Sequence, residues 1–159
     1  MDSSDLLLTI SQLAVAFAGF SAIVVTLNSR PIRDWDATDR LNLRCLLQVA
    51  IQVFAFSLLP FLLAVSLDEA SVWRYGLIAY GAFMLCDASF FLFKMTSDSP
   101  VLFRNAGIGG ILVGALALAT GVWGSATSRE TIYLVALFWA LGIVVMSFLL
   151  LLYQVRKVR

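Results

Sequence analysis

GIGGILVGALALATGVWG, the stretch from Gly107 to Gly124, decides how the rest of the chain is read. Its small residues fall at Gly107, Gly110, Gly114, Ala117, Gly121 and Gly124, in alternating steps of three and four. On a helix that spacing gathers them on one side, because residues three and four apart share a face. The opposite face is bulky, with Ile108, Ile111, Leu112, Val113, Leu116, Leu118, Val122 and Trp123. Six of the ten glycines lie in this window, which sets it apart from the general composition. In water such a glycine load weakens a helix. In lipid a smooth face of small residues lets a second helix approach closely. The spacing therefore predicts a membrane helix with a packing seam. A surface for ligand approach or a pore lining is the alternative.

Composition points the same way. The chain has 159 residues, of which 61% are hydrophobic and 13% charged, and its mean hydropathy is +0.94. A soluble domain carries roughly a quarter charged residues, so most of this surface must face something other than water. The net charge of +1 gives no footprint for nucleic acid. Histidine is absent, which removes the usual residue of haem, zinc and proton-shuttle sites. Cys45 and Cys86 fit no metal-ligand spacing. No metal and no cofactor are expected.

With the glycine-rich stretch as one helix, the chain reads as one membrane domain, 1–159, with five spans. The expected spans are 6–27, 43–66, 72–94, 101–124 and 130–153. Each is long enough to cross roughly 30 Å of hydrocarbon. Asp2 and Asp5 replace the basic start of a signal peptide, so the first segment is expected to stay as a span. Ser11, Ala14, Ala18, Ser21 and Val25 repeat the three–four spacing there. With Thr9, Gln12 and Thr26 they give this span a polar side that should face protein. Pro31 ends the first helix, Asp36 is placed to cap the second, and Trp35 reads as an interface anchor. Pro60 should kink the second helix. Ser99-Pro100 opens the fourth, and Thr127 with Glu130 has capping-box spacing for the fifth. Trp139, deep in the last span, reads as a packing anchor.

Basic residues set the orientation. With the N-terminus outside, Arg30, Arg33, Arg40, Arg44, Lys94, Arg104, Arg156, Lys157 and Arg159 are cytoplasmic, and only Arg74 and Arg129 are outside. Nine against two is a strong positive-inside bias. The fold class expected is an all-α polytopic integral membrane protein, a five-helix bundle with the C-terminus in the cytoplasm.

Asp87 is the one acidic residue inside a span, seven residues before Lys94, or roughly 10 Å inside the cytoplasmic boundary. An ionisable group at that depth raises a functional hypothesis. Arg44, Gln48 and Gln52 step by four along the second span. Span positions then predict a polar layer of Ser21, Gln48, Gln52, Asp87 and Ser147, with Arg44 at its cytoplasmic edge. Such a layer either fixes helix register as a satisfied network or relays a proton or cation through Asp87. A weaker patch, Ser11, Gln12 and Thr120, lies toward the outside.

Catalytic motifs are missing: the chain has no GxSxG, HExxH or Walker sequence. In general form it resembles small bacterial multi-pass membrane proteins, which implies the bacterial inner (plasma) membrane. It carries no diagnostic motif of a named family. The expected function is non-catalytic, a helix-packing subunit or scaffold of a membrane assembly. The alternative is a small oligomeric channel or an ion-coupled transporter using Asp87. The expected partners are the lipid bilayer and a second copy or another membrane protein, with no nucleic acid.

Overall fold

The structure is a computed structural model that describes residues 3–27, 32–94 and 101–157. It is all-helical: α1 (Ser3–Leu27), a short 3-10 turn (Ile32–Asp34), α2 (Ala37–Leu63), α3 (Glu69–Lys94), α4 (Val101–Trp123) and α5 (Ala126–Lys157). All five α-helices are long and apolar enough to cross a membrane. Pro31 and Ser99-Pro100 lie outside the described residues.

Helix ends depart from the apolar spans because capping chemistry, not hydropathy, sets them. α2 starts at Ala37, six residues before the expected span. Asp36 stands at its N-cap, its carbonyl accepting from Arg40 N–H at 3.1 Å. α3 starts at Glu69 rather than at 72, because Asp68 accepts Ser71 N–H on its carboxylate at 3.2 Å and Val72 N–H on its carbonyl at 3.0 Å. The expected box of Thr127 and Glu130 gives way to Ser125. Its hydroxyl accepts Ser128 N–H at 3.3 Å, and its carbonyl accepts Arg129 N–H at 3.0 Å. Thr127 is already inside the helix, where its carbonyl accepts the Thr131 hydroxyl at 3.0 Å. α2 runs through Pro60 and stops three residues later, at Leu63 rather than 66.

The chain divides into two compact units, Met1–Ser57 with Leu137–Arg159, and Leu58–Ala136. In the first unit Trp35, Leu46, Ala50, Val144 and Leu151 form a buried cluster, with Phe17, Ala18, Val24 and Val25 of α1 packed against it. Phe17 and Phe148 meet edge to face at 5.3 Å, in the range where aromatic pairs attract. Trp35 is thus a core residue of this unit instead of an exposed anchor. The 3-10 turn just before it, closed by Trp35 N–H to Ile32 carbonyl at 3.2 Å, sends the ring inward. Trp139 shows the reverse: it is 42% exposed, on a face of α5 turned away from Leu137, Leu141 and Val144.

In the second unit α3 and α4 pack along their lengths. The buried positions of α4 are Phe103, Gly107, Gly110, Gly114, Ala117 and Gly121. Tyr133 of α5 is fully buried, against Trp73 at 5.8 Å and Tyr80 at 6.0 Å. The Tyr80 hydroxyl donates to the Ala136 carbonyl at 3.0 Å, which ties α3 to α5.

Candidate functional site

Two sets of residues hold the chemistry a membrane helix bundle can offer: close-packed glycines and buried polar side chains. The glycines of α3 and α4 bring the two helices into close contact. A Cβ added at Gly81 of α3 would stand 2.8 Å from the Gly114 carbonyl oxygen and 2.8 Å from the Leu118 amide nitrogen of α4. A Cβ at Gly114 would stand 3.1 Å from the Gly81 carbonyl oxygen. The two helices therefore touch backbone to backbone at this point, which a side chain on either glycine obstructs. Gly107 faces Leu92, Gly110 faces Ala88, and Gly121 faces Ile78 and Leu77. Gly124 differs from the other five small residues. It follows the last residue of α4, and its tight neighbour is the Thr120 carbonyl of its own chain turn, 2.5 Å from an added Cβ. Gly81 was not singled out from the sequence. Its signal is the spacing Gly76–Gly81–Cys86, too loose to read as a face without the partner helix.

On α1, Ser11, Ala14 and Ser21 are buried, and Ala18 and Val25 half-buried. Thr9, Gln12 and Thr26 are exposed, so the polar residues of α1 do not share one side. Their hydroxyls bond to their own helix: Ser11 to Leu8 carbonyl at 2.7 Å, Ser21 to Ala18 carbonyl at 2.7 Å, and Thr26 to Ile23 carbonyl at 2.8 Å. Ser57 of α2 does the same with Val53 at 2.7 Å.

The candidate polar layer is drawn from both units. In the first unit Arg44 is exposed, Gln48 half-buried and Gln52 buried, so the stripe on α2 runs from the surface into the protein. Ser147 is fully buried. Its level is fixed by Asn42, whose side-chain amide donates to the Ser147 carbonyl at 3.0 Å. Gln48 and Gln52 lie six and ten residues farther along α2, or about 9 and 15 Å. Ser21 lies one turn along α1 from Phe17, whose ring meets Phe148. Asp87 belongs to the second unit, half-buried on α3, with Met84 and Ala88 buried beside it and Phe83 and Phe90 exposed.

Asn42 is the polar residue that sequence reading missed. It falls in the stretch assigned to the loop, since the apolar run begins only at Leu43, yet α2 has already made a turn and a half before it. It is 1% exposed, its Oδ1 has no hydrogen-bond partner, and neither has the Oγ of Ser147.

In the connecting segment Arg33 and Asp34 form an exposed ion pair at 3.5 Å, and Arg40 donates to the Arg33 carbonyl at 3.4 Å. Exposed pairs of this kind contribute little to stability. Among the described residues no group of three or more acidic or cysteine side chains stands close enough to hold a metal ion. No protein-family model, curated protein or solved structure matches the chain. Among the described residues, these side chains offer helix contact and hydrogen bonding.

Proposed function

We propose that the chain is a multi-pass integral membrane protein acting as a non-catalytic helix-packing subunit or scaffold of a membrane assembly. The observation that carries this reading is the α3–α4 crossing, where Gly81 and Gly114 place backbone against backbone. Small-residue contacts of this type associate helices in lipid, where no hydrophobic force distinguishes helix from solvent. The small-residue face of α4 is the packing seam in this reading, and it is filled by α3 of the same chain. What α4 turns outward is Ile108, Leu112, Leu116 and Val122, a surface suited to lipid or another apolar helix. The buried hydroxyls of Ser11, Ser21 and Ser57, bonded to carbonyls of their own helices, support a structural use of polarity over a conducting path. Asp87 in this reading fixes helix packing.

Flux through the purified protein in liposomes tests the proposal. The expected result is proton and cation flux no greater than in empty vesicles, unchanged by Asp87→Asn. Flux that disappears in a folded Asp87→Asn protein would overturn it in favour of a channel or coupled transporter. The orientation we propose, N-terminus outside and C-terminus cytoplasmic, rests on the distribution of Lys and Arg. Single cysteines placed at Ser71 and Ser99, after replacing Cys45 and Cys86, should then label from opposite sides of the membrane. Labelling of both from one side refutes the topology.

A further inference from the structure

Asn42 and Ser147 leave two buried oxygens without a hydrogen-bond partner at one contact between α2 and α5. We propose that these oxygens bind a water molecule, making the contact a hydrated link between the two helices. Asn42 is 1% exposed and Ser147 fully buried, so bulk solvent does not satisfy either atom. The donation of Asn42 Nδ2 to the Ser147 carbonyl, at 3.0 Å, fixes which way the carboxamide points. Turning the amide over would set two acceptors against each other. Its Oδ1 is therefore held as an acceptor close to Ser147, with nothing to accept.

The Ser147 hydroxyl is unusual among its neighbours in kind. Ser11, Ser21 and Ser57 each donate to a carbonyl of their own helix at 2.7 Å, the common way for a hydroxyl to be satisfied inside a helix. Ser147 does not, and its Oγ stays available in the contact. Both residues interrupt apolar stripes. Asn42 lies one turn before Leu46 on α2, and Ser147 lies between Val144 and Leu151 on α5, all three of these apolar residues being in one buried cluster. An unpaired polar atom in such surroundings lowers the folding equilibrium roughly fivefold or more. A pair of them is retained where something answers both.

Water is the ligand whose chemistry fits. It accepts from the Ser147 hydroxyl and donates to Asn42 Oδ1, and a buried water needs two to four polar partners. A bare cation would be a desolvated charge held by neutral oxygens alone, which is far more costly. The link would join α2 to α5 by one direct bond and one bridge through water.

The test uses the full-length protein in lipid nanodiscs, labelled with ¹⁵N at asparagine, and reads water-to-amide rotating-frame transfer at the Asn42 side chain. The expected result is a water cross-peak with the sign of a molecule tumbling with the protein, lost in Ser147→Ala. The same substitution should lower the unfolding equilibrium constant's folded side about fivefold. A folded wild type with no water contact at Asn42 overturns the proposal. So does a Ser147→Ala protein that keeps the cross-peak, or that becomes more stable, as removal of an unanswered hydroxyl would make it. If Ser147→Ala does not fold, Ser147→Cys supplies the same comparison at nearly equal volume, and an unchanged cross-peak there also overturns it. A wild-type cross-peak abolished by adding sodium or potassium would show a cation in the site and refute water as the occupant.

Discussion

Gly81→Ala should test the α3–α4 crossing more sharply than any larger substitution. The new methyl would stand 2.8 Å from the Gly114 carbonyl oxygen, the Leu118 amide nitrogen and Leu118 Cγ. A comfortable contact needs about 3.5 Å, so the overlap is about 0.7 Å. Two of the three atoms are backbone, and a rotamer change cannot relieve them. The helices must shift apart, and overpacking of this kind costs about 1–3 kcal/mol. Alanine returns about 0.8–1 kcal/mol of helix propensity, which would blur a simple comparison with wild type. Gly142→Ala removes that ambiguity, because an added Cβ there meets nothing within 4 Å. Propensity cancels between the two variants and leaves the steric cost. We expect Gly81→Ala to be less stable than Gly142→Ala by about 1–3 kcal/mol, or about 5- to 150-fold in the unfolding equilibrium. Reversible unfolding in mixed micelles with increasing dodecyl sulfate measures it. Equal stability of the two variants would refute the backbone contact, since no other difference between them offsets it.

Two more substitutions separate readings that hydropathy merges. Trp35→Ala should destabilise the protein by about 3–5 kcal/mol, as loss of a buried aromatic does, because the ring fills the cluster of Leu46, Ala50, Val144 and Leu151. Trp123→Ala, at a residue 83% exposed, should change the unfolding midpoint little, and a small effect at Trp35 would return it to the role of surface anchor. The third prediction concerns pH. The hydroxyl of Ser71, followed by its backbone N–H, holds the Asp68 carboxyl below the ordinary aspartate value. A depressed folded-state pKa adds stability above the unfolded value, near 3.9, which is lost as pH falls through the folded one. Wild type should therefore melt above Asp68→Asn at pH 7 in non-ionic detergent, with the gap closing below about pH 4. A gap that does not narrow at all as pH falls below the unfolded value would show that the charge is not what caps α3.

Periodicity and apolar length determine the class of this chain from sequence alone. Five stretches form helices long and apolar enough to cross a membrane, and the three–four spacing from Gly107 to Gly121 marks positions of α4 that are buried. A face can be read this way because backbone geometry fixes which residues share it. Helix ends were less legible. Asp36 announces its cap, but Thr127 and Glu130 have the right spacing in the wrong place, and Ser125 takes the cap because its hydroxyl reaches Ser128 N–H. Tertiary structure alone decided the partners. That Gly114 meets Gly81, that Trp35 turns inward, and that Asn42 reaches Ser147 across 105 residues are consequences of how helices lie beside each other. Spacing along one helix names the face that will be covered. The neighbour's identity depends on packing energy summed over many weak contacts, which no single stretch of sequence contains.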